Sequence, residues 1–105
     1  MRIMLACAAG MSTSILVAKM EEAAKAAGRD DTIWAVEQGT IENELGNFDV
    51  LLLGPQVRHI KRKVEKIVGD VAPVAVIDTA AYGRGDGAKV LKQADKVYAD
   101  WKASH

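Results

Sequence analysis

The chain has 105 residues, half of them apolar, with 14 basic and 14 acidic side chains and a single cysteine. That length suits one domain, residues 1–105, with a core burying roughly 60–70% of the unfolded surface. A formal charge of zero excludes bulk electrostatic capture of nucleic acid or an anionic membrane, and a lone thiol excludes an internal disulfide and points to a reducing, cytoplasmic setting.

The first apolar run, Arg2–Ala6, reads as a strand and continues through Cys7, Ala8 and Ala9 to stop at Gly10. It is far short of the roughly 20 residues that span a bilayer, so no membrane insertion is expected. A helix is predicted from Ser12 to Ala27, with Ile15, Leu16, Lys19, Met20 and Ala23 as its inward stripe and Gly28 at its end. Strands follow at Thr32–Val36 and Asp49–Leu53, separated by a helical turn at Thr40–Leu45 that Thr40 would cap. A further helix over Val57–Val68 would bury Val57, Ile60, Val64 and Ile67 and leave Arg58, Lys61, Arg62, Lys63 and Lys66 mainly wet. After a strand at Val74–Ile77, the glycines at 83, 85 and 87 suggest a mobile loop, and a last helix spans Gly87–Ala103 with a frayed tail behind it.

Runs such as Val50-Leu51-Leu52-Leu53 lack polar alternation, so these strands belong to a parallel sheet covered on both faces. The predicted fold is α/β: a four-stranded parallel sheet in the order 2-1-3-4, with helices on both faces. Its switch point falls at the carboxyl ends of strands one and three.

The segment Cys7-Ala8-Ala9-Gly10-Met11-Ser12-Thr13-Ser14 lies between a buried strand and an amphipathic helix. Successive backbone N–H groups and a helix N-terminus can converge there on one anion, which makes it a candidate phosphate-binding loop after strand one. Gly10 permits a close backbone approach, and Ser12, Thr13 and Ser14 offer hydroxyls for capping or phosphate contact. Residue chemistry leaves two readings of Cys7: an inert strand-end cysteine, or a nucleophile that the same N–H groups activate. The segment is not a Walker loop, since no Gly-Lys-Ser/Thr follows. Neither His59 nor His105 has companions at metal-ligand spacing, and neither a metal nor a cofactor is expected.

These residues carry a family resemblance. Ile3 to Ser14, then Leu53-Gly54-Pro55-Gln56-Val57, then Pro73 to Asp78 followed by Tyr82-Gly83, resemble the landmarks of the lactose/cellobiose-type enzyme IIB of the bacterial sugar phosphotransferase system. The resemblance covers nearly the whole chain. It implies that Cys7 accepts a phosphoryl group from a histidine of a IIA protein and donates it to a cellobiose-, chitobiose- or lactose-like sugar bound in the IIC permease. Ala8 to Ser14 would hold the phosphate, and Met11, Pro55, Gln56, Asp78 and Tyr82 are candidates for a partner-facing edge. The rival is a cysteine-dependent, low-molecular-weight phosphatase-like enzyme, whose loop needs Cys, five residues, then Arg. Thr13 stands at that position, so the guanidinium that would stabilise the transferring phosphoryl group is missing. A redox module would need a resolving cysteine, which the chain lacks.

Overall fold

The structure, a computed structural model, describes residues 1–7 and 11–105; the side chains at positions 11 and 12 lie outside that description. Four strands form one parallel sheet: β1 (Arg2–Cys7), β2 (Thr32–Glu37), β3 (Val50–Leu53) and β4 (Val74–Val76), in the order β2-β1-β3-β4. The order is the one the sequence predicts. Ala6 lies in register with Leu53, and Cys7 with Glu37, so the carboxyl ends of β1, β2 and β3 share one edge.

The central strand positions are apolar because both sheet faces are covered, with Arg2, Thr32 and Glu37 at exposed strand ends. Ile3, Leu5, Val50 and Leu52 pack under α1 (Met11–Ala26), α3 (Thr79–Arg84) and α4 (Gly87–Ala103). Met4, Ala6, Leu51 and Leu53, the alternate positions, pack on the other face against Ile41, Val57, Val64 and Val68. That second layer contains a 3₁₀ segment at Gln38–Glu44, another at Pro55–Ile60, and α2 (Lys61–Val68).

Four local expectations are corrected. The inward face of α1 is Thr13, Leu16, Met20 and Ala24, while Ile15 is 64% exposed and Lys19 points to solvent. The series 16, 20, 24 follows one line of the helix, and Ile15 stands about 100° off it. Glu37, not Thr40, caps the first 3₁₀ segment: its carboxylate accepts from the Gly39 N–H at 3.0 Å, and the Thr40 hydroxyl donates back to the Glu37 carbonyl. The helix expected over Val57–Val68 is divided, because the chain leaves Pro55 as a 3₁₀ segment with non-helical Val57 (φ −115°, ψ 21°) before α2 starts. That shift of phase buries Val68 and leaves Ile67 half-exposed. Finally, the expected glycine-rich loop contains α3, which includes Gly83 and ends at Gly85 in the left-handed conformation (φ 64°).

Ion pairs fasten the opposite, amino edge of the sheet. Arg2 meets Asp49 at 3.0 Å, and the Arg29 guanidinium forks onto Asp95 with both contacts at 2.7 Å. Hydrogen bonding to Arg2 holds the Asp49 carboxyl below the usual carboxylate range. The carboxyl edge is thereby left for chemistry.

Candidate active site

Cys7 is the last residue of β1 rather than a loop residue, and it is 3% exposed. The burial comes from its register: Glu37 lies beside it on one strand, and the turn after β3 lies on the other side. Gly54 donates its N–H to the Ala6 carbonyl at 2.8 Å, which carries the ladder one step past β3 and lays the turn against Cys7. A side chain at position 54 would place its Cβ 3.2 Å from the Cys7 Cβ and 2.8 Å from the Gln56 Oε1, so glycine makes this close approach possible.

Three polar side chains lead to the sulfur. The Thr13 hydroxyl, buried in the first turns of α1, donates to Cys7 Sγ at 2.8 Å. It lies 3.4 Å from the Tyr82 hydroxyl, which comes from α3. Gln56, from the second 3₁₀ segment, donates through Nε2 to the same Tyr82 hydroxyl at 3.0 Å. One helix from each face of the sheet and one element past β4 therefore converge on the end of β1. Parallel strand ends at a switch point allow this, since the chain leaves each strand in a different direction.

α3 is fixed by its own cap. The Asp78 carboxylate accepts from the Ala81 N–H at 2.9 Å, and this bond, with Lys89 nearby, holds Asp78 below the usual carboxylate range. Asp78 is thus occupied at the α3–α4 side, where its own N–H also donates to the Gln93 Oε1. It is exposed, as is Gln56, while Pro55 is half-buried.

Of the predicted phosphate-binding residues, Ala8, Ala9 and Gly10 lie outside the described residues. Met11 and Ser12 form the first positions of α1, one residue earlier than predicted, and Ser14 is exposed on it. The structure brings Cys7, Thr13, Gln56 and Tyr82 together and sets Asp78 apart from that group. Two positions were read incompletely: Gly54, whose backbone the sequence sets beside the Cys7 loop but whose need for a missing side chain only spatial closeness reveals, and Ile15, which its apolar character assigned to the core. The 16, 20, 24 spacing was the available signal against the latter.

A cleft of about 350 Å³ lies between the first 3₁₀ segment and α2 and is lined by Ile41, Glu42, Ile60, Lys63 and Ile67 among others. It includes neither Cys7 nor its three polar neighbours. Among the described residues no group of His, Cys, Asp and Glu is placed to hold a metal ion, and no helix is long and apolar enough to cross a membrane.

A parallel four-stranded α/β sheet with a buried thiol at its switch point, hydrogen-bonded by the helix that follows, places the chain among small open-sheet α/β domains. The chain belongs to the lactose/cellobiose-specific IIB subunits of the phosphotransferase system, whose family model matches residues 2–93. It is 43% identical over 94 residues to the oligo-beta-mannoside-specific EIIB component of Bacillus subtilis, covering 89% of this chain and 91% of that one. It is 47% identical over 103 residues to the cellobiose-specific EIIB component of Lactococcus lactis subsp. lactis, covering 90% and 94%. The galactose-specific EIIB component of Lactococcus lactis subsp. cremoris stands at the same 47%, again covering 90% and 94%. The solution structure of a cellobiose-specific IIB component from Borrelia burgdorferi superposes with a TM-score of 0.78 at 39% identity, covering 95% of this chain and 93% of that one. The lactose-specific IIB domain of Streptococcus pneumoniae shares the fold, with a TM-score of 0.79 at 18% identity over 93% of this chain and 97% of that one.

Proposed function

We propose that this chain, working as one unit over residues 1–105 in the cytoplasm, is a phosphocarrier in which Cys7 takes a phosphoryl group from a IIA phosphohistidine and gives it to a sugar held in a IIC permease. In the first step the Cys7 sulfur attacks phosphorus, an S–P bond forms and the N–P bond breaks. In the second a sugar hydroxyl attacks, the S–P bond breaks and its electron pair returns to sulfur. The backbone N–H groups of residues 8–14 and the hydroxyls of Ser12 and Ser14 hold the phosphate by charge-assisted hydrogen bonds, Thr13 contributing its N–H while its hydroxyl donates to the sulfur, and the step needs neither metal nor nucleotide from this domain. Met11, Pro55, Gln56, Asp78 and Tyr82 are assigned to the edge that the partners cover, Asp78 through its place at the head of α3.

The observation that carries this reading is the company of the thiol. A core cysteine behaves as a small hydrophobe and has no need of polar partners; the Cys7 sulfur is met by a buried hydroxyl at 2.8 Å with a phenol and an amide behind it. Family membership agrees with it. Sugar choice belongs to the permease: relatives 43–47% identical to this chain are named for an oligo-beta-mannoside, galactose and cellobiose.

The test is incubation with phosphoenolpyruvate, the general phosphotransferase components and a IIA protein, followed by mass spectrometry. One added phosphoryl group should map to Cys7 and be absent from a folded Cys7→Ser variant, because serine is a far weaker nucleophile at neutral pH. A Ser variant that relays phosphate at the wild-type rate would remove Cys7 from the reaction. Turnover of para-nitrophenyl phosphate should be negligible, since Thr13 stands where a phosphatase has its arginine.

A further inference from the structure

We propose that Tyr82 and Gln56 are positioning residues that point the Thr13 hydroxyl at the Cys7 sulfur, so that sulfur is a better leaving group when phosphate departs. The proposal rests on the phosphocarrier reading and adds direction to it. An amide nitrogen has hydrogens to donate and no lone pair to offer, so the 3.0 Å contact from Gln56 Nε2 makes the Tyr82 oxygen an acceptor. The single phenolic hydrogen is then left for the Thr13 oxygen, 3.4 Å away. The single Thr13 hydrogen in turn points to Cys7 Sγ at 2.8 Å. Every hydrogen in the row faces the sulfur, and the end of the row is fixed by the Gln56 amide, whose Oε1 occupies the space left open by Gly54. The 3.4 Å link is long for a resting hydrogen bond, as such links often are before charge develops.

The consequence is asymmetric. When a hydroxyl oxygen bonds to phosphorus, the S–P bond breaks, its electron pair moves to sulfur, and the attacking group's proton passes to solvent or to a base on the sugar-binding partner. Negative charge grows on the sulfur, and an aimed donor stabilises it. In acceptance the sulfur loses charge, so the same donor does not favour the transition state over the thiolate. Tyr82 and Gln56 therefore act on release.

The experiment uses the full chain, phosphorylated enzymatically and then freed of its donor, with loss of phosphate to water followed by phosphorus NMR. Tyr82→Phe and Gln56→Met should each lengthen the phosphocysteine lifetime by about fivefold, a rate read on the isolated phosphoprotein, where no partner surface enters the comparison. Because the two residues act in series, the double variant should decay no more slowly than either single one. Thr13→Ser, which keeps the hydroxyl, should retain the wild-type lifetime, and Thr13→Val should lengthen it. A Tyr82→Phe lifetime that is unchanged or shorter, the latter being the mark of a loosened site that admits water, would overturn the proposal, as would multiplicative effects in the double variant. Should Tyr82→Phe not fold, the exposed Gln56 carries the same comparison through Gln56→Met. Wild-type protein that takes no phosphate on Cys7 would overturn the relay itself, which is a different result from a relay whose decay ignores Tyr82.

Discussion

A side chain that is absent shapes the site as much as those present. Gly54 has φ −60° and ψ 147°, a conformation open to any residue, so its glycine answers to space rather than to backbone strain. In Gly54→Ala the new methyl would meet the Gln56 Oε1 at 2.8 Å and the Cys7 Cβ at 3.2 Å. The amide end of Gln56 is free to swing away, whereas Cys7 is held in the β1 ladder. We expect the variant to change stability by no more than about 1 kcal/mol, since alanine restricts the unfolded chain and offsets part of the crowding. It should nonetheless lengthen the phosphocysteine lifetime as Gln56→Met does; thermal melting and phosphate-loss rates on the same sample check both halves. The sequence showed Cys7 and the hydroxyls beside it because local spacing puts them at a helix start. It did not show that Thr13 is buried against the sulfur, nor that Gln56 and Tyr82 meet, since a contact across 26 positions has no local signature.

At the scale of elements, the long uniform pieces were legible and the short mixed ones were not. Strand ends fell within one residue of their expected places because their apolar runs are short and bounded, those of β1 and β3 being buried on both faces. α4 matched at both ends, with Asp86 as a cap accepting from the Lys89 N–H. α3 was hidden because glycine within six residues reads as loop, and only the Asp78 cap and the packing of Ala81 into the core pull it into a helix. The crossing of α1 and α4 depends on a single position. A Cβ on Gly87 would lie 2.3 Å from the Lys19 carbonyl carbon and 2.4 Å from the Met20 nitrogen, both backbone atoms that cannot turn aside. Gly87→Ala must push the helices apart, which we expect to cost about 1–3 kcal/mol. For a domain of this size, each kcal/mol lowers the melting temperature by about 4–8 °C. Calorimetry on Gly87→Ala, with Ala88→Gly at the exposed neighbouring position for comparison, checks it; a melting point equal to wild type would mean that the two helices are not held at this distance.

The two edges of the sheet serve different ends. Arg2–Asp49 and Arg29–Asp95 close the amino edge, and the thiol lies at the carboxyl edge. The sheet order that creates this division is the 2-1-3-4 order expected from the sequence, with right-handed crossovers between its parallel strands. What the sequence reading missed was the outward surface near the site, because an apolar residue on an amphipathic helix is assigned to the core by default, even where the 16, 20, 24 spacing points elsewhere. Ile15 is the case in point: at 64% exposure it stands on α1 one turn beyond Met11, and its side chain contributes nothing to the packed face that Leu16, Met20 and Ala24 form. A donor protein that brings a phosphohistidine within bonding reach of Cys7 has to settle over the start of α1, and brief encounters of this kind bury less than about 1,200 Å². Losing one apolar contact in so small a patch should weaken docking without touching chemistry. We therefore expect Ile15→Ser to lower the rate of transfer from phosphorylated IIA by about fivefold at limiting donor concentration and to leave the saturated rate unchanged. Its melting temperature should stay at the wild-type value, because exposed substitutions away from caps and cores shift stability by no more than about 0.5 kcal/mol. Lys66→Glu, on α2 across the sheet, is the control and should leave transfer unaltered. Transfer kinetics at varied donor concentration decide the matter: an Ile15→Ser curve that overlays wild type, or a loss confined to the saturated rate, would mean that the donor approaches Cys7 without resting on α1.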